Sequence, residues 1–163
     1  MRYTIGLAEM ALSNKIEDCL VTHALGSCVG IAVYDGVAKV GGILHAMLPL
    51  STIDLARAQE RPLMYVDTGV PALFRNAYDL GATKENLKVY LAGGASVISL
   101  GVSDLGIGER NVMIARKLFW KNKIMVTSES VGGTIPRTLY LNIDTGRCWF
   151  TSSHQEYLLS KGE

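Results

Sequence analysis

Short apolar segments, repeatedly interrupted by Gly, Asn and Asp, run through this 163-residue chain and restrict its fold more than any other feature. Four of them precede residue 50: Tyr3 to Leu12, Cys19 to Ala24, Cys28 to Tyr34 and Val40 to Leu48. Each has strand length, carries β-branched or aromatic residues, and stops at turn-forming residues. Leu87 to Ala92, Ile124 to Ser128 and Leu139 to Ile143 read the same way, and Asp144-Thr145-Gly146 forms a hairpin turn into a strand from Cys148 to Thr151.

Two stretches follow the helical period instead. Val66, Val70, Leu73, Phe74, Ala77 and Leu80 recur at three- and four-residue steps between Met64 and Leu80. Pro71 interrupts that stripe, and proline is tolerated only in a first turn, so the helix is expected to begin near Gly69 or to kink there. The second helix runs from about Gly108 to Trp120, with Val112, Ala115, Leu118 and Phe119 on one face and Arg116, Lys117 and Lys121 near its C-terminal dipole end. Strands outnumber helices and most links are hairpin-length. The expectation is therefore an α+β fold, a single layered domain over residues 1–163 of mostly antiparallel or mixed sheet with about two main helices. With 48% apolar residues, the chain can bury a substantial core.

The 16 basic and 15 acidic residues are scattered, leaving a net charge of +1. No like-charge block marks a nucleic-acid or membrane surface, so a protein or small-molecule partner is expected. MRYTIGLAEMAL lacks the apolar core of a secretory signal, and no run approaches the roughly 20 apolar residues of a spanning helix. A cytoplasmic protein without membrane insertion is expected. Cys19, Cys28 and Cys148 are odd in number and include no CxxC pair, which points to free thiols rather than a disulfide framework or zinc site.

The chemistry concentrates in HALGSCVGIAVYDGVAKVGGILHAML, residues 23–48. A hairpin closed by a two-residue Gly36-Val37 loop would set Cys28 directly across from His45, and other even-numbered loops would shift them by two residues while keeping both on one face. Two readings fit. In one, a buried thiol and a buried imidazole merely share a hairpin, since cysteine is among the most buried residue types. In the other, the imidazole activates the thiol as a nucleophile, an imidazolium neighbour lowering the thiol pKa from its ordinary value. Gly26 would let the backbone approach a substrate and aim amides at an oxyanion. His23 and His154 are alternative partners on sequence alone.

Gly93-Gly94 and Gly106-Ile107-Gly108 match no phosphate-binding motif and are read as turn or close-packing positions. Glu109, Arg110 and Asn111 either cap the second helix or line a cleft.

Five separated motifs then occur in a familiar order: LGSCVGIAVYD, VGGILHAMLP, YLAGGAS, IGERNV and VGGTIPRTLYLNIDTGRCW. From about Tyr3 to Phe150 the chain resembles the CheD family of chemoreceptor glutamine deamidases. The resemblance implies Cys28 as nucleophile, His45 of the H-x-M-L-P motif as its base, and Thr22 as the third member of the catalytic group. It implies a fold similar to the catalytic domain of the cytotoxic necrotizing factors and chemistry without metal or organic cofactor. The implied substrate is the cytoplasmic helical region of methyl-accepting chemotaxis receptors, and the implied regulatory partner is the CheC phosphatase. Pro136 departs from the family, which commonly carries Gly before the Arg that is Arg137 here, so a differently routed loop is expected. Cys19 and Cys148 match no catalytic motif. The same thioester chemistry would serve a cysteine protease or transglutaminase, and the same fold would serve a non-catalytic adaptor.

Overall fold

The computed structural model describes residues 1–96 and 106–161. Two five-stranded sheets are stacked, with helices on the outer face of one, as the α+β expectation requires. The strands are β1 (Arg2–Ile5), β2 (Glu9–Ser13), β3 (Cys19–Leu25), β4 (Val29–Asp35), β5 (Val40–Ala46), β6 (Leu87–Gly93), β7 (Ser128–Val131), β8 (Arg137–Asn142), β9 (Cys148–Ser152) and β10 (Gln155–Leu158). The helices are α1 (Leu55–Glu60), α2 (Val66–Asp79) and α3 (Ile107–Lys121). One sheet has the order β1-β3-β8-β9-β10 and the other β2-β5-β4-β6-β7. Both are mixed: β1 runs parallel to β3 and β7 parallel to β6, the remaining pairs being antiparallel.

Strand periodicity explains the layering. Side chains alternate across a strand. In β4, Val29, Ile31 and Val33 join Leu73 and Phe74 of α2 and Val112 and Phe119 of α3 in one core, while Ala32 and Tyr34 meet Leu139, Leu141 and Phe150 of the other sheet in a second. Every residue of β4 and β5 is buried, which is why both read as near-continuous apolar runs.

Several boundaries differ from those expected. The segment from Tyr3 to Leu12 is two strands in different sheets, divided by a turn in which Gly6 N–H donates to Glu9 Oε2 and Ala8 takes φ of 57°. α2 begins at Val66, ahead of Gly69, and keeps Pro71 in its interior. Burying Leu73 and Phe74 contributes about 1.5–3 kcal/mol each, enough to offset an interior proline costing roughly 3 kcal/mol. Ile124 and Val126 pack on the helical core without joining a ladder, and β7 starts only at Ser128. The short α1 and the wholly exposed edge strand β10 carry too little apolar periodicity to be read from sequence.

The hairpin of β4 and β5 closes through four residues, not two: Asp35 pairs with Val40 and Gly30 with His45. The Asp35 carboxylate sets that turn. Its Oδ1 accepts from the amides of Val37 and Ala38, its Oδ2 accepts from Thr83 N–H, and Lys39 takes the left-handed conformation. Burial alone would raise the carboxyl pKa, but these hydrogen bonds hold it below its ordinary value.

Candidate active site

Cys28 precedes β4 by one residue, and β4 is the middle strand of its sheet, so the thiol lies at a strand end inside the sheet rather than near a sheet edge. The four-residue turn makes Cys28 and His45 diagonal neighbours on one face instead of directly opposed, a spacing at which side chains still meet. Gly30 is the residue across from His45; a Cβ there would lie 2.9 Å from Leu25 Cδ1 and 3.0 Å from Leu139 Cδ2, so the opposite sheet already fills that space. Cys28 packs against this same inter-sheet core and remains half-buried as a free thiol.

Thr22 reaches His45 from the other sheet. Its Oγ1 lies 2.8 Å from Ile5 O and 2.6 Å from His45 Nδ1, and both side chains are buried. A carbonyl can only accept, so the single hydroxyl hydrogen goes to Ile5 O and Nδ1–H must donate to Oγ1. That tautomer leaves the lone pair on Nε2, which is buried without a hydrogen-bond partner among the described residues. The bulge in β3 between Thr22 and Leu25 places exposed His23 and Ala24 outside the ladder, and His154 is exposed in the turn between β9 and β10. Of the three histidines, His45 is the one enclosed with Cys28 between the sheets.

Electrostatics differ from the expected ion pair. Burial pushes the Cys28 thiol above its ordinary pKa and pushes the His45 imidazole down to about 4. Both shifts favour the neutral thiol and the neutral imidazole. A histidine whose folded pKa lies below its unfolded value contributes stability that is fully present above the unfolded pKa of about 6.5 and is lost as pH falls toward the folded value. Between pH 7 and pH 4.5, wild type is therefore expected to lose about 2 kcal/mol more unfolding free energy in urea than His45→Gln does. Equal losses would show that the imidazole is not held neutral.

The loop before Cys28 is fixed through its carbonyls. Ala95 N–H donates to Gly26 O at 2.8 Å, Gly94 N–H to Cys28 O at 2.9 Å, and Asn111 Nδ2 to Ser27 O at 2.9 Å. The glycine clusters serve close packing at Gly93, Gly94 and Gly108 and a left-handed turn into α3 at Gly106, whose φ is 68°. A Cβ on Gly93, whose φ is 104°, would come within 2.3 Å of Cys28 O, and one on Gly108 within 2.5 Å of Ala95 O. Asn111 neither caps α3 nor lines an open cleft; it is wholly buried, and no local pattern in IGERNV marks it. Arg137 also acts on this scaffold, its guanidinium donating to Gly93 O, Gly132 O and Ser130 Oγ. Pro136 keeps its carbonyl engaged by the Ser152 hydroxyl at 3.3 Å. Among the described residues no cluster of three His, Cys, Asp or Glu side chains is placed to hold a metal ion, and no helix is long and apolar enough to cross a membrane.

A layered α+β protein that encloses a free thiol and a hydroxyl-anchored imidazole between two sheets defines a narrow class. Within it, this chain belongs to the CheD family: residues 47–152 match the family model described as CheD chemotactic sensory transduction. A protein of Syntrophus aciditrophicus named probable chemoreceptor glutamine deamidase CheD 1 is 44% identical over 149 residues, covering 91% of this chain and 92% of the relative. The similarly named proteins of Solibacter usitatus and Pyrococcus abyssi are 43% and 44% identical, with 93% and 88% of this chain covered and 89% and 86% of the relatives.

Proposed function

We propose that this chain is a cytoplasmic protein-glutamine deamidase, acting on the helical cytoplasmic region of chemoreceptors. The observation that carries the reading is the anchored tautomer of His45, whose Nε2 lone pair is buried on the same sheet face as the Cys28 thiol. The names of relatives at 43–44% identity supply the reaction and substrate class.

In the proposed reaction the Cys28 sulfur attacks the side-chain amide carbon while His45 Nε2 takes the thiol proton. Nothing requires a preformed thiolate, because the proton moves as the S–C bond forms. The amides of Ser27 and Cys28, which donate to no carbonyl among the described residues, are assigned to the developing oxyanion, and that of Cys28 also faces its own sulfur. The imidazolium returns its proton to the leaving nitrogen, ammonia departs, and a thioester remains. Neutral His45 then draws a proton from water, which attacks the thioester and frees glutamate and the thiol. Thr22 holds the ring throughout by accepting from Nδ1–H. A hydroxyl stabilises imidazolium less than a carboxylate does, consistent with modest turnover. The chain itself supplies every group these steps use, and CheC phosphatase is included as the regulatory partner that the family resemblance implies.

A glutamine on a folded helix offers its side-chain amide without breaking backbone hydrogen bonds, whereas a protease needs extended backbone in its cleft. Incubation of a folded receptor cytoplasmic fragment is expected to add about 1 Da per modified site, the mass difference of NH₂ to OH, with ammonia released and no peptide cleavage or amine incorporation. Free glutamine at equal amide concentration is expected to turn over poorly, lacking the remote contacts that position the amide. Faster turnover of free glutamine would reassign the chain as a small-molecule amidase; an unmodified fragment would favour a binding adaptor.

A further inference from the structure

We infer that Asn111 is a positioning residue that sets the distance between the Cys28 loop and the His45 strand. This rests on the deamidase reading of the same site. The Nδ2 atom donates to Ser27 O at 2.9 Å and to Met47 O at 3.0 Å. Ser27 immediately precedes the thiol, and Met47 lies two residues beyond the imidazole. One planar amide nitrogen, with two hydrogens in fixed directions, thus ties together the two segments that carry the reacting groups.

The platform behind that tie is rigid. α3 starts hard against the end of β6, where Gly108 leaves no room for a side chain beside Ala95 O and Gly94. The same end of β6 holds Gly26 O and Cys28 O through the amides of Ala95 and Gly94. Asn111 therefore reaches from a helix locked to one side of the loop and fastens the loop to β5. A precise site needs this kind of support, since small displacements of a reacting group cost large factors in rate.

The remaining atom of the side chain supports the inference independently. Asn111 is 0% exposed, and its Oδ1 has no partner among the described residues. An unpaired buried acceptor costs stability that an apolar residue of similar bulk would not. Local costs of this kind concentrate at functional sites. Here the two donors explain the amide.

Asn111→Leu keeps most of the bulk and removes both donors; Asn111→Ser is milder and too short to span the two carbonyls. Both are tested in the full chain below their melting temperatures. Ammonia release from a folded receptor fragment is expected to fall about 10- to 100-fold in kcat with KM within about twofold. The rate of Cys28 alkylation by iodoacetamide, followed by peptide mass between pH 6 and 10, is expected to fall severalfold at neutral pH. Adding His45→Ala to either variant should slow alkylation little further, because the imidazole is already out of position. Variants that lose only thermal stability, with kcat and the alkylation profile within twofold of wild type, would overturn the inference. If wild type itself releases no ammonia, the deamidase reading fails, while the alkylation comparison still decides the role of Asn111.

Discussion

Cys28→Ala is expected to abolish ammonia release from receptor fragments, a loss of at least about 10³-fold, because no other thiol can take the place of the attacking sulfur. Cys148 is wholly buried, and burial raises its pKa far above the ordinary thiol range; Cys19 lies at the start of β3, at the opposite end of that strand from the loop that carries Cys28. Cys19→Ala and Cys148→Ala are accordingly expected to keep activity. The fold should survive the change at Cys28, since the residue is only half-buried, so the stability change should stay within about 1 kcal/mol. Ammonia release and intact mass of the substrate, measured alongside a urea titration of each variant, separate lost chemistry from lost structure. Full activity of Cys28→Ala would rule out the thioester route.

His45→Ala is expected to lower kcat by about 10²–10⁴-fold, the usual range for removing a positioned general acid–base group. It should also slow alkylation of Cys28 at neutral pH, since Nε2 no longer accepts the thiol proton. His23→Ala and His154→Ala should change neither measurement, both residues being exposed and outside the enclosed face. Thr22→Val keeps the shape of Thr22 but removes the acceptor for Nδ1–H and the donor to Ile5 O. Its expected loss is smaller, about 10- to 100-fold in kcat, because the ring can still reach the thiol in a fraction of its orientations. The acid limb of the wild-type rate should lie well below pH 6.5, as burial holds the imidazole neutral down to about pH 4. If His23→Ala or His154→Ala slowed alkylation and His45→Ala did not, the pairing across β4 and β5 would be wrong.

Much of this site is legible in the sequence because a strand has a period of two. Cys28 and His45 share a face for every even-numbered turn between β4 and β5, so their association survives the error in loop length. The α3 stripe of Val112, Ala115 and Phe119 is equally local, since the helical period lies wholly within one segment. Register is different. Gly36-Val37 is compatible with a tight turn, and the four-residue loop goes with a buried Asp35 carboxylate that accepts from Val37, Ala38 and the distant Thr83 N–H together. Of the two alternatives for α2, a start near Gly69 is excluded for a related reason: the penalty of Pro71 is a local property, whereas the burial that overcomes it belongs to the packing of α2 on β5.

The amino-acid sequence alone determined the α+β class, the positions of most strands and of the second helix, and the shared face of the thiol and imidazole, because each depends on periodicity within a segment or across one hairpin. Tertiary structure alone decided that Tyr3 to Leu12 divides between two sheets, and that Thr22 of one sheet meets His45 of the other. It likewise decided that Asn111, distant in sequence, joins Ser27 to Met47. The protonation state also belongs to the fold: enclosure between two apolar sheets penalises the charged forms of both Cys28 and His45 and leaves the thiol and the imidazole neutral.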